Sequence, residues 1–147
     1  EVKRMSNKTL HLRIVSNESI IYATNYLIIE NIKWTRIKTK EELLQSHIGV
    51  MPLEDSEYTR GKGGFKGIQY ISAALPCVMS NVGYNTEVIE DGVSGFFAKG
   101  PHDWVSKIIE LSIDDNTWSS MSISARNRWE GKFSSEINKK FWNGLLS

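Results

Sequence analysis

Residues 60–76, "RGKGGFKGIQYISAALP", hold four glycines (Gly61, Gly63, Gly64, Gly67) interleaved with three cations (Arg60, Lys62, Lys66). These residue types at this spacing suit the binding of an anion. Glycine lets a backbone N–H approach a charged oxygen with no Cβ in the way. The apolar positions that follow, Phe65, Ile68, Ile71 and Leu75, recur at three- and four-residue spacing and predict a helix over 65–75. The first N–H groups of such a helix have no intrahelical partner and carry a partial positive charge. A glycine loop, a helix start and the charges of Lys62 and Lys66 are together the physical recipe for a phosphate cradle. On composition alone, a solvated loop with incidental lysines fits the stretch equally well. It is not a P-loop, and Lys66 stands where the third glycine of a G-x-G-x-x-G motif belongs.

The elements around this stretch must hold it in place. "EVKRMSNK" (1–8) reads as the tail of a helix. "LHLRIVS" (10–16) and "HIGVMPL" (47–53) read as buried strands. "ESIIYATNYLIIE" (18–30) fits either helix or strand. "NIKWTRI" (31–37) alternates as a half-buried strand does, and "TKEELLQS" (39–46) opens a helix on Thr39. Beyond the glycine stretch, "PCVMSN" (76–81) is a strand. "NTEVIEDG" (85–92) is a short helix capped by Asn85, with Asp91 and Gly92 as a turn. "SGFFAK" (94–99) is a last strand, and three helices fill the rest. Strands alternating with helices imply a parallel sheet with helices on both faces. In such a sheet a ligand sits outside the carboxyl ends of the strands, where the loop 54–64 begins.

Composition excludes several classes. The chain has 147 residues, 40% of them hydrophobic, with 18 Lys and Arg against 17 Asp and Glu. A net charge of +1 argues against a nucleic-acid partner. One cysteine, Cys77, forbids an intramolecular disulfide and fits a reducing compartment. No apolar run reaches the ~18 residues of a membrane span. His11, His47 and His102 are scattered, so no metal site is expected. Trp104, Trp118, Trp129 and Trp142 suit core packing on the closing helices.

Several features fall in an order that resembles a known family. They are "WTRIKTKEE" from Trp34, then "HIGVMPLED", then "RGKGGFKGIQYISAALPCVMSNVGYNTEVIEDGVSGFFA", and finally "DDNTW" and "SARNRWEGKFS". This run is similar to the C-terminal half of the retaining GT-B glycosyltransferases of family 4. It covers about three quarters of the chain.

The resemblance implies an α/β fold, a Rossmann-like parallel sheet with helices on both faces. The chain would be a single donor-binding domain over residues 1–147. Its first strand, its diphosphate-binding Arg and Lys, and an N-terminal acceptor domain would lie upstream of Glu1. The implied ligand is a nucleotide diphosphate sugar, with no cofactor and no metal. Lys62, Gly63, Gly64, Phe65 and Lys66 would hold the donor diphosphate, and Gln69, Gly61 and Arg60 the ribose or sugar. Trp34, Asn81 and Gly83 would line the base pocket or cleft, although the sequence context of Trp34 favours sheet packing. Glu41 and Glu42 could reach the ribose or simply complement a helix start. The family's E-x7-E pattern is altered here: Gln69 replaces its second acid, and Gly61 its first. Gln69 can still pair with a hydroxyl as donor and acceptor.

The implied reaction transfers a sugar to a glycan or lipid-linked acceptor, as in polysaccharide or lipopolysaccharide synthesis. The enzyme would be cytoplasmic, with peripheral association at the inner face of the membrane for the full-length protein. This chain alone would bind donor but not turn over, and its sequence identifies no catalytic acid, base or nucleophile. Two alternatives stand beside this reading. One is a non-catalytic flavodoxin-like α/β module that binds a phosphate or a partner protein. The other is an epimerase of the same fold, for which the sequence lacks the acids and histidines.

Overall fold

Residues 77–80 read Cys-Val-Met-Ser, a short uncharged run that suits the middle of a sheet covered on both faces. In the computed structural model, which describes residues 7–145, this run is buried throughout. The chain divides into two compact units, residues 1–46 and 47–147.

The first unit holds β1 (His11–Ser16), β2 (Ile28–Lys33) and α1 (Arg36–Gln45). The strands pair in parallel, His11 opposite Ile28 through Ser16 opposite Lys33. No described residue of this unit is fully buried, so β1 is a half-exposed strand rather than the buried one expected. Two strands and one helix have too little apolar surface to close a core. Charges join its elements instead. Arg13 donates to Glu30 (3.2 Å) and to Glu42 (3.1 Å), and His11 Nδ1 lies 2.7 Å from Glu30. Glu41 pairs with Lys38 at 2.8 Å.

The expected strand over 31–37 ends early, because Thr35 caps α1, its hydroxyl accepting from Lys38 N at 3.0 Å. Thr39, the expected cap, lies a turn inside the helix and donates to the Thr35 carbonyl (2.9 Å). Of the helix tail expected over 1–8, residues 1–6 lie outside the described residues.

The second unit is a three-stranded parallel sheet, β3 (Gly49–Met51), β4 (Cys77–Ser80) and β5 (Phe96–Ala98), in the order β3-β4-β5. Its helices are α2 (Glu57–Arg60), α3 (Phe65–Ser72), α4 (Asn85–Val88), α5 (Pro101–Ile113), α6 (Asp115–Lys132) and α7 (Ser135–Leu145). This is the Rossmann-like α/β arrangement expected.

The period-two geometry of β4 serves two cores. Cys77 and Met79 join Met51, Ile71, Val88, Ile89 and Ala125 on one face. Val78 joins Phe96, Ala98, Leu111 and Met121 on the other. Burial pushes the Cys77 thiol up to about 12. Trp104, Trp118 and Trp129 pack against these cores, while Trp142 is exposed and meets Phe141 edge-on. No described helix is long and apolar enough to cross a membrane.

Helix α3 is shorter than its apolar spacing predicts. It stops at Ser72, and Ala74 takes a left-handed conformation (φ 56°). That turn still delivers Leu75 to the core, at 3% exposure.

Candidate functional site

β3 and β4 are parallel neighbours, so the chain leaves both at the same edge of the sheet. After β3 it runs through residues 52–64 into α3, and after β4 through 81–84 into α4. All the expected site residues of the second unit fall on these two loops and the first turns of α3.

The loop after β3 is itself ordered by capping. Ser56 caps α2 and accepts from Thr59 N, while the Thr59 hydroxyl accepts from Ser56 N. Arg60 folds back on Asp55 as a two-pronged pair, Nε to Oδ1 at 2.7 Å and Nη2 to Oδ2 at 3.1 Å. That guanidinium holds the Asp55 carboxyl below its usual range. Arg60 is thus committed to the loop. Lys62 is not: its ammonium lies over the Tyr58 ring, 4.8 Å from the centroid, and it makes no ion pair with a described residue. Lys66 is exposed and equally unpaired among the described residues. From residue 58 to residue 86 there is no Asp or Glu. The only full charges in that stretch are those of Arg60, Lys62 and Lys66.

Gly64 caps α3 from a left-handed conformation (φ 64°) and offers no side chain to its N–H groups. The first intrahelical bond runs from Ile68 N to the Gly64 carbonyl (3.1 Å). The N–H groups of Phe65, Lys66 and Gly67 therefore end without acceptors among the described residues. A Cβ at Gly64 would meet Val88 Cγ2 at 2.7 Å. Glycine is required there by conformation and by space. Gly63 differs, since a Cβ built on it meets nothing within 4 Å.

The second loop locks onto the first. Gly83, also left-handed (φ 54°), lies so close to Arg60 that a Cβ would come within 2.6 Å of the Arg60 carbonyl oxygen. The Tyr84 ring lies against Gly64. Asn81, just after β4, is exposed. Asn85 is not the cap expected for α4, because Tyr84 holds that position. Its side chain is buried and donates Nδ2 to the Ser80 carbonyl at 3.0 Å, tying the end of β4 to the helix start.

Phe65 also departs from expectation. It is not on the buried face of α3 but 67% exposed, while Ile68 and Ile71 turn inward. At i, i+1 and i+4 Phe65, Lys66 and Gln69 share the outer face of the helix. Gln69 is half-buried and makes no side-chain hydrogen bond with a described residue. Gly61 follows α2 as its C-cap. Trp34 belongs to the first unit, where it follows β2 and is 48% exposed. There it lines an open depression of about 360 Å³ with Val15, Ser16 and Asn17. It is not the buried sheet-packing aromatic that its sequence context favours.

Sequence reasoning missed Tyr58 and Tyr84, the aromatic residues bordering the lysines and the glycine cap. The Ser56–Thr59 spacing was the available signal for the short helix that carries Tyr58. No described group of three His, Cys, Asp or Glu residues could hold a metal ion.

The fold is thus an α/β domain on a parallel sheet, in which the glycine-led start of α3 has no side-chain cap and Lys62 and Lys66 are close to it in sequence. Residues 1–114 match the family described as glycosyl transferases group 1, and the chain belongs to that family. No curated protein matches it in sequence.

Its structure is similar to three crystal structures of other proteins. Anabaena Alr3699/HepE in complex with UDP and glucose is 17% identical, with a TM-score of 0.61 over 83% of this chain and 32% of that one. The pneumococcal O-GlcNAc transferase GtfA in complex with UDP and GlcNAc is 20% identical, with a TM-score of 0.59 over 83% and 24%. TarM is 17% identical, with a TM-score of 0.64 over 99% and 30%. The chain thus spans about a third or less of the length of these proteins.

Proposed function

We propose that this chain is the donor-binding part of a retaining glycosyltransferase of family 4. It binds a nucleotide diphosphate sugar, and the whole enzyme passes the sugar to a glycan or lipid-linked acceptor. One observation carries the reading: the N-terminus of α3 is led by glycine with no side-chain cap, with Lys62 and Lys66 beside it and no acid near it in sequence. Family membership supports it, as do the UDP complexes of similarly folded proteins.

The chemistry asked of such a site is electrostatic. When the bond to the sugar breaks, negative charge grows on the departing nucleoside diphosphate. Fixed N–H donors and ammonium groups stabilise that charge without having to reorganise. In this reading the N–H groups of Gly63, Gly64 and Phe65 do so, with Lys62 and Lys66. Gln69, a turn further along α3, meets the ribose or the sugar through its amide. Asn81 and Gly83 border the same loops. No described residue is assigned as acid, base or nucleophile. The acceptor site and the retaining outcome belong to the remainder of the enzyme, as does its placement at the inner face of the membrane.

Calorimetry of this chain with UDP, UDP-glucose and inorganic diphosphate tests the reading. Measurable binding of all three is expected. A Gln69→Ala change should weaken the two nucleotides and spare diphosphate. Absence of binding by every one of the three would overturn the reading.

A further inference from the structure

We propose that Arg128, on α6, is a positioning residue for the N-terminus of α3, and that it acts through Val88. The functional weight of this inference rests on that helix end being the diphosphate site. Arg128 Nε donates to the Val88 carbonyl at 2.6 Å, and its Nη2 donates to the Glu87 carbonyl at 2.9 Å. Lys132 adds a bond to the same Glu87 carbonyl (3.1 Å) and pairs with the Glu87 carboxylate (2.8 Å). Glu90 lies at the margin, 3.9 Å from the Arg128 Nη1. The last carbonyls of a helix lack intrahelical acceptor duty and carry partial negative charge, so cations dock there. Two cations of α6 thus hold the C-terminal end of α4.

The residue whose carbonyl is held is also the one that supports α3. Val88 is fully buried. Its Cγ2 fills the space where a Cβ on Gly64 would fall (2.7 Å), and its Cγ1 fills that beside Gly67 (3.0 Å). Close-packed interiors transmit small displacements rather than absorbing them. Moving the Val88 backbone therefore moves the support under Gly64, the cap, and under Gly67, the last of the three residues with unpaired N–H groups.

The same helix supplies its own control. Arg126 donates Nη1 to the Ser72 carbonyl at 2.6 Å and lies over the Trp129 ring (4.6 Å). It holds the C-terminal end of α3, the end away from the anion-binding loops. Both arginines bond main-chain carbonyls, but only Arg128 holds a residue, Val88, whose side chain packs against the glycine cap.

The test compares Arg128→Gln, Arg128→Lys and Arg126→Gln in the whole chain. Two readouts are used: backbone amide NMR shifts of the ligand-free protein, and UDP affinity by calorimetry. Arg128→Gln should displace the Gly64, Phe65, Lys66 and Gly67 resonances and weaken UDP by about tenfold, the equivalent of one well-placed charged contact. Arg128→Lys should recover part of both. Arg126→Gln should lower the melting temperature comparably while leaving UDP affinity within about twofold. Unmoved Gly64 to Gly67 resonances in Arg128→Gln would overturn the proposal. Equal loss of UDP affinity in the two Gln variants would also overturn it, because Arg128 would then be only a structural residue. Failure of the unmodified chain to bind UDP sinks the diphosphate reading, and the ligand-free shifts then decide the positioning role alone.

Discussion

Gly63 and Gly64 are neighbours with opposite tolerances, and this separates the fold of the loop from its use. At Gly64 an alanine must adopt a left-handed conformation, which costs ~1–2 kcal/mol. Its Cβ must also press on Val88 Cγ2 at 2.7 Å and Tyr84 Cδ1 at 3.3 Å, and overpacking of that kind costs ~1–3 kcal/mol. The terms add to roughly 2–5 kcal/mol, a fall in melting temperature of about 10 °C or more for a unit of this size. At Gly63 no atom lies within 4 Å of the added Cβ, so Gly63→Ala should leave stability within ~0.5 kcal/mol. That open space is where an anion would approach the N–H groups. A methyl there should remove about one charged hydrogen bond, ~1.5–3 kcal/mol, or ten- to a hundredfold in UDP affinity. Thermal melts followed by circular dichroism and calorimetry with UDP read the two effects separately. The reasoning is refuted if Gly63→Ala keeps both its stability and its affinity. A Gly64→Ala protein that melts like the unmodified chain would show that the cap geometry is wrong.

Three further outcomes are expected. Lys66→Ala should weaken UDP about tenfold at low salt, and Lys62→Ala less, because bound Lys62 forfeits its ~0.5–1 kcal/mol contact with Tyr58. Both losses should shrink at high salt, and salt-independent losses would show the lysines act through structure instead. Ala74→Gly should raise the melting temperature by several degrees, since glycine relieves the left-handed strain at φ 56°; a lower melting temperature would contradict the turn described. Burial raises the Cys77 thiol from 9.0 to about 12, so its contribution to stability is complete below pH 9 and is lost as pH rises from there towards about 12. Denaturant titrations across that window should fall more steeply, by up to ~1.4 kcal/mol per pH unit, than those of Cys77→Ala, and parallel curves would refute the burial argument.

The parallel sheet of the second unit was legible because its strands are short uncharged runs bounded by Pro, Gly and Asn, as in "HIGVMPL" and "PCVMSN". The glycine loop and the start of α3 were legible for the same local reason: a change of period follows a glycine cluster. Other features depend on partners far away in sequence. Phe65 continues the apolar spacing of α3, yet at the first turn there is no core left to cover it. Thr35 and Thr39 are equally good caps in sequence, and only the end of β2 selects between them. Asn85 has a cap's composition but spends its amide on Ser80. Nothing local distinguishes Gly63 from Gly64; the difference is Val88, a residue of the next loop-and-helix segment. Nor did sequence mark the division between Ser46 and His47, where no Pro, Gly or Ser-rich linker intervenes.

The central claim is that the start of α3 receives a nucleoside diphosphate. Titrating UDP into isotope-labelled chain and following every backbone amide by NMR tests it most directly. The account predicts saturable shifts concentrated at Gly63, Gly64, Phe65 and Lys66, with smaller ones at Asn81 and Gly83. Saturable shifts centred elsewhere, for instance in the groove that Gly92 and Val93 form with Asn116, Thr117 and Ser120 of α6, would contradict it. So would a spectrum that UDP leaves unchanged.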